Sequence, residues 1–319
     1  MKILIIDGNN FAHMGHSSQV LSYNGQRTEV IFFGLNMLSN LLNIHTPDRL
    51  FIVWDGGRDP RRLEKFPEYK AHRKKKNETM IEKREREIFF EQVDILKSCF
   101  SGFGFIQAEW PDREADDIIY SIIDLSSTIF KDEQVEFVVS STDKDFFLLF
   151  SEFSNVIIYN PVKKIEITKE IFEQEFGFPV THYLDYKAMI GDTSDNLPGV
   201  SGIGEVGARM LVERVFMEVP KESAGEEIPN KDLRFINLLT ENMQEFTKMR
   251  DLMEFIRVDN GELNLAIKED FLTNINELHT RVIEVLNKYG FQHTIDRFPL
   301  FIQPFELLFK KRAALSIGE

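Results

Sequence analysis

An α/β fold with a mostly parallel central sheet flanked by helices is what the order of apolar segments predicts. Three observations carry this expectation. Short, partly β-branched runs alternate with segments of helical length and spacing. Several of the runs stop at acidic residues or Asp-Gly turns, and the strand signal fades beyond about residue 181. Strands that alternate with helices need crossovers, which favour parallel pairing with helices on both faces.

Taken in order, "KILIID" (2–7) reads as a buried strand stopped by Asp7-Gly8-Asn9, and the stretch holding His13 and His16 shows no clear helix. "TEVIFFGLNMLSNLLNIH" (28–45) is a helix, and "DRLFIVWD" (48–55) is a second strand ending at Asp55-Gly56-Gly57. "ETMIEKREREIFFEQVDILKSCF" (78–100) is a charged helix that turns apolar in its second half, and "GFGFIQAE" (102–109) is another strand. "EADDIIYSIIDLSSTIF" (114–130) is a helix, and "VEFVVSSTDKD" (135–145) a strand ending in carboxylates. "NVIIYNP" (155–161) and "KIEIT" (164–168) complete the extended segments. From about Thr181 the pattern is helix, Gly/Pro-rich turns and helix, then a mainly helical remainder with a turn around Asp259-Asn260-Gly261. A boundary near residue 180 divides a core (1–180) from a helical region (181–319).

With 319 residues the chain can bury a sizeable core without staples. Its single Cys99 cannot form an internal disulfide and reads as a buried small hydrophobe in a reducing compartment. No apolar run approaches the roughly 18 residues of a membrane helix, and "MKILIID" ends too soon in Asp for a signal peptide. A cytoplasmic enzyme or binding protein is expected. The net charge of −14 argues against a polyanionic partner, but its distribution argues the other way. Residues 61–76, "RRLEKFPEYKAHRKKK", carry eight Lys and Arg against Glu64 and Glu68, a local charge of +6. A phosphate-contacting face accounts for that density better than a solvated helix does.

Acids crowd elsewhere. "DREADDII" (112–119) sets Glu114, Asp116 and Asp117 side by side, although like charges 4 Å apart repel by roughly 4 kcal/mol near a surface. Asp7, Asp55 and the pair Asp143/Asp145 end inferred strands, where open α/β sheets collect their function. If these groups share one crevice, cations must neutralise it. No Cys or His recurs with zinc spacing, and an all-carboxylate set suits Mg²⁺ or Mn²⁺. Two such ions about 3.5–4 Å apart can activate water and stabilise the leaving oxygen of a phosphodiester. "GDTSDNLPGVSGIGEVGARML" (191–211) adds Asp192 and Asp195 to a turn whose glycines let a backbone approach a phosphate.

These stretches, "LIIDGNNFAH", "VWDG", "FPEYKAHR", "READDII", "SSTDKDFFLL" and "GDTSDNLPGVSGIGEVGA", appear in the order of one known family and span residues 1 to about 215. The chain resembles the 5′-nuclease superfamily of flap endonucleases, phage 5′–3′ exonucleases and the 5′-nuclease domain of bacterial DNA polymerase I. The resemblance implies a two-metal hydrolase of DNA bearing a 5′ single-stranded flap or end, with RNA–DNA hybrids a further substrate and replication proteins as partners. A non-catalytic structure-specific DNA-binding protein and a related metal-dependent ribonuclease are the alternatives. It assigns Asp7, Asp55, Glu114 and Asp116, with Asp117 adjacent, to one Mg²⁺, and Asp143, Asp145, Asp192 and Asp195 to a second, Mn²⁺ being able to replace either. Lys70 and Arg73 correspond to the family's basic pair at the scissile phosphate, and Tyr69 to a base-stacking position. Residues 59–91 match the helical arch around a 5′ strand, with Lys74, Lys75 and Lys76 on it. Residues 185–215 match a helix–hairpin–helix whose Gly202, Gly204 and Gly207 approach duplex backbone and whose carbonyls hold K⁺. Val206 stands where many relatives carry Lys, so a charge-assisted contact is not implied there. "FIQPFELLFKKRAAL" (301–315) reads as a packed terminal helix rather than a clamp-docking peptide. A monomer is expected.

Overall fold

The computed structural model describes residues 1–71, 78–131, 133–217, 230–258, 261, 263, 267 and 275–317. Arg73 and Lys74–Lys76 lie outside the described residues, as do Asp259 and Asn260 of the expected turn.

Six strands form the sheet: β1 (Lys2–Asp7), β4 (Arg49–Val53), β5 (Ile106–Ala108), β6 (Glu136–Ser140), β7 (Val156–Asn160) and β8 (Ile165–Ile167). A short hairpin supplies β2 (Ser22–Tyr23) and β3 (Gln26–Arg27). The order is β5-β4-β1-β6-β7-β8, parallel throughout except for β8, which pairs antiparallel with β7. The expected mostly parallel sheet is therefore present. Its strands read as continuous apolar runs because both faces are covered. In β1, Ile3 and Ile5 enter one core while Leu4 and Ile6 enter the other.

One core packs α5 (Ala115–Ile129), α6 (Lys169–Phe176), α7 (Tyr183–Ile190), α8 (Glu205–Leu211) and α10 (Met243–Met253) with the phenylalanine-rich 3₁₀ turn Asp145–Ser151; α9 (Asn230–Glu241) lies beside α8. The opposite core packs α1 (Gly8–His16), α2 (Glu29–His45), α4 (Met80–Gly102), α11 (Ile275–Lys288) and α13 (Phe298–Ile317), with α12 (Gln292–Ile295) between the last two. The short α3 (Pro60–Lys65) carries the start of the basic segment. Residues after about 180 thus feed both cores: Leu278, Val282 and Leu286 of α11 and Phe305 and Leu308 of α13 belong to the same core as Leu4 and Ile6 of β1, with α13 packed on α2 and α11 on α4. The terminal segment is a packed helix, its Leu308 and Phe309 buried.

Three boundaries differ from the sequence reading. Gly8–His16 is a helix, because the Asp7 carboxylate caps the Asn10 amide (3.1 Å) and supplies the start signal that the weak formers Gly8, Asn9 and Asn10 lack. β6 stops at Ser140, and Ser141–Lys144 turns outward to carry acids. β5 is only three residues long because Phe103 and Gly104 close α4 instead.

His45 ends α2 fully enclosed, its Nε2 without a hydrogen-bond partner. Burial, with nearby Lys2, drives its pKa down to about 4 from the ordinary 6.5. The unfolded chain takes up that proton first, so stability falls as pH drops from 6.5 through 4. We expect wild type to lose about 2–3 kcal/mol more than His45→Gln over that window, read from urea unfolding at a series of pH values.

Candidate functional site

β1 lies between β4 and β6, and the chain reverses its direction across the sheet between β1 and β6. Asp7 pairs in register with Val53, and Ile6 with Ser140, so the C-terminal ends of β1, β4 and β6 finish level. Asp7, Asp55 and Ser141–Asp145 therefore leave the sheet at one edge, the crevice where such folds bind ligands. Three polar ties hold that edge. Ser141 Oγ donates to Asp7 (2.9 Å), Asn10 exchanges hydrogen bonds with Thr142, and the Asp55 amide donates to Asn9 (2.9 Å).

Burial pushes the Asp7 carboxyl up to about 7, Asp55 and Asp143 adding to the effect against the lowering by the Asn10 amide. Asp55, though it opens to solvent, is raised by the atoms packed around it and by Asp116 and Glu114, against the lowering of the Ala115 amide and Lys70. Its carboxylate accepts from the Ala115 amide (2.8 Å) and so captures the start of α5 from another strand. Glu114, at the N-cap of α5, makes no cap bond and is free to turn into the protein. There, 2% exposed, it accepts from the Tyr69 hydroxyl (2.9 Å) and the Lys70 ammonium. Lys70 also lies 3.6 Å from Asp195, and its amide bonds to the Asp195 carbonyl (2.9 Å). Its backbone is left-handed (φ 52°), a conformation costly for a lysine, at the turn that aims it into the acids. Burial disfavours the ammonium, but Asp116, Glu114 and Asp195 outweigh it and keep Lys70 charged.

A second group forms beside this one. Lys187 of α7 bonds to Asp145 and to Asp192 (2.7 Å), while Asp192 also accepts from the Ser194 amide (2.8 Å). Burial opposes ionisation at Asp192, yet Lys187 and Ser194 hold it below the usual carboxylate range. Asp143 accepts from the Asp145 amide (2.9 Å), and its pKa is raised by burial and by Asp116. A polar cleft of about 910 Å³ opens here, lined by Asn10, Asp143, Asp145, Lys187, Asp192 and Arg209 among others. The sequence reading missed Lys187, although a lone cation in the apolar stretch "YLDYKAMI", five residues before Asp192, was a usable signal.

Two expected roles need correction. Asp117 is fully enclosed, and both its oxygens are taken by Arg62, at 2.5 and 2.9 Å, with the Ile256 amide adding a third bond. It anchors the basic segment and residues 252–256, since Arg62 also donates to the Leu252 and Glu254 carbonyls. Tyr69 is 2% exposed, packed with its hydroxyl on Glu114, and offers no face to a base.

In the glycine turn, Gly202 has φ 82°, the left-handed region that L side chains avoid. At Gly207 a Cβ would meet the Phe235 ring at 2.6 Å, so this glycine serves the packing of α8 on α9. Gly204 faces open space at the start of α8, and Val206 beside it is 81% exposed.

The oxygen-only donor set suits hard divalent ions. Buried Glu114 Oε1 has no hydrogen-bond partner, and Asp7 resists ionisation; both are groups a cation would satisfy. Among the described residues no three carboxylates enclose a common point, the Lys70 and Lys187 ammoniums lying between them. By donor chemistry, oxygen-only and with a buried carboxylate oxygen lacking a partner, the residues fit a hard divalent ion.

A two-faced, mostly parallel α/β core with an acidic cleft at its switch point and two buried lysines among the acids defines the class of protein. Residues 2–177 match the family model of the 5′-3′ exonuclease N-terminal resolvase-like domain, and the chain belongs to this family. It is 29% identical over 306 residues to a 5′-3′ exonuclease of Mycoplasmopsis pulmonis, covering 93% of each chain. It is 26% identical to DNA polymerase I of Caldicellulosiruptor bescii, matching 94% of this chain but 34% of that longer protein. Its fold resembles that of the bacteriophage T5 flap endonuclease solved with DNA and metal ions (TM-score 0.64, 19% identity, covering 97% of this chain and 99% of that one).

Proposed function

We propose that this chain is a structure-specific 5′ nuclease that hydrolyses DNA phosphodiester bonds at 5′ flaps and ends with two Mg²⁺ ions. One observation supports the reading: carboxylates from five separate stretches, Asp7, Asp55, Glu114/Asp116, Asp143/Asp145 and Asp192/Asp195, lie close enough to interact at one edge of the sheet, with Lys70 among them. Family membership and the names of the relatives support it. Asp7, Asp55, Glu114 and Asp116 would hold one ion, and Asp143, Asp145, Asp192 and Asp195 the other. Bound there, the pair supplies an activated water and charge stabilisation for the departing oxygen.

The chain's own part is binding and charge. Lys70, freed from Glu114, offers an ammonium to the phosphate as negative charge develops on it. Arg73 and Lys74–Lys76 extend that basic segment, the family's arch, along the 5′ strand. The α7–turn–α8 unit, read as a helix–hairpin–helix, presents the open face at Gly204 to duplex backbone, with K⁺ at its carbonyls. RNA–DNA hybrids are a second substrate class, and replication proteins are partners of a cytoplasmic monomer.

The test offers 5′-labelled flap, nicked and blunt duplexes and an RNA–DNA hybrid, with Mg²⁺ or with chelator. Cleavage near the flap junction that disappears with chelator is expected; metal-independent cleavage overturns the mechanism. Lys70→Ala should slow single-turnover cleavage by roughly 10²–10³-fold while fluorescence anisotropy finds DNA affinity within a few fold of wild type.

A further inference from the structure

Lys187 sits 7% exposed among acids that come from two segments: Asp145 opens the 3₁₀ turn after β6, and Asp192 follows α7. Its ammonium bonds to both carboxylates. No other described cation forms an ion pair with Asp145 or Asp192. The neighbouring group repeats the arrangement, with Lys70 bonded to Glu114 and 3.6 Å from Asp195. Each carboxylate group thus contains one buried lysine that bridges separate stretches of chain.

We propose that Lys187 is a resident cation for the Asp145–Asp192 pair, neutralising it in the metal-free protein and giving up these carboxylates when a divalent ion binds. The inference rests on the reading that this cleft takes divalent ions. An ammonium and a metal ion need the same carboxylate oxygens, so they compete, and metal affinity measures the difference between ion and lysine. The lysine keeps the unloaded cleft folded at the expense of metal affinity. A lysine with a merely structural role does the reverse: removing it disorders the ligands and weakens metal binding.

Lys187→Met separates the two, studied as the whole chain at pH 8 without DNA. Isothermal titration calorimetry with Mn²⁺, and thermal unfolding with and without Mn²⁺, are the readouts. The metal-free melting temperature should fall, the Mn²⁺ dissociation constant should drop about tenfold because one repelling positive charge is gone, and the metal-induced rise in melting temperature should exceed that of wild type. Lys187→Arg, which keeps the cation, should bind Mn²⁺ as wild type does. Lys187→Gln, which preserves one hydrogen bond to the pair, replaces the Met variant if that one does not fold. Unchanged or weaker Mn²⁺ binding in the neutral variants overturns the proposal. A wild-type chain that binds no Mn²⁺ overturns the nuclease reading with it.

Discussion

Asp7→Asn is expected to abolish cleavage and, without divalent ions, to make the protein more stable. The two effects share one cause. Asp7 is 8% exposed, and burial raises its carboxyl to about 7, so above that pH the folded protein holds an ionised group that the environment disfavours. A carboxyl whose folded pKa exceeds its unfolded value costs stability as pH rises from about 4 to 7, and the whole cost is present above 7. A shift of about three units corresponds to roughly 4 kcal/mol. Asn at this position still accepts from the Asn10 amide and keeps the cap of α1. In chelator at pH 8 the variant should therefore unfold at higher urea than wild type, by an amount approaching that figure and vanishing near pH 4. With Mg²⁺ the order should narrow or reverse, since wild type gains more from the ions than a variant that lacks one ligand of the first. Cleavage should fall by about 10³-fold or more, several kcal/mol of barrier. A variant that cuts at the wild-type rate would remove Asp7 from the metal centre.

Arg62→Met should destabilise the protein by about 3–5 kcal/mol, the range for breaking a buried ion pair from one side. Arg62 is 3% exposed, bidentate to Asp117, and also donates to the Leu252 and Glu254 carbonyls. Its loss leaves an enclosed carboxylate without its counter-ion and two carbonyls without a donor. Arg62→Met/Asp117→Leu should recover part of the loss, because the stranded charge goes while the two carbonyls and the Ile256 amide stay unpaired. Urea unfolding of wild type, both single variants and the double variant forms the thermodynamic cycle. Additive effects would mean that the two groups do not act as a pair. Since Arg62 also lies 3.7 Å from Glu114, the single variant should slow cleavage too, through the position of that carboxylate.

The same residues mark how far a sequence reading reaches. Glu114 and Asp117, three residues apart in one acidic run, look alike as letters. Glu114 accepts from Lys70 and Tyr69 at the cleft; Asp117, one turn on, is closed off by Arg62. A three-residue spacing puts both near one face of the helix start, so only tertiary packing decides that Lys70 reaches the first while Arg62 encloses the second. Tyr69 is a similar case: the resemblance implies base stacking, whereas the chain before Lys70 folds the ring inward onto Glu114.

The amino-acid order alone determined the alternation of strand and helix, the mostly parallel sheet and the acids at strand ends, because these follow from local periodicity and turn chemistry. Tertiary structure decided which charges become partners. Register set Asp7 level with the ends of β4 and β6, and α7 brought Lys187 onto Asp145 from 42 positions away. Pairing of charges depends on distance and burial in three dimensions, and neither is encoded in any single stretch of chain.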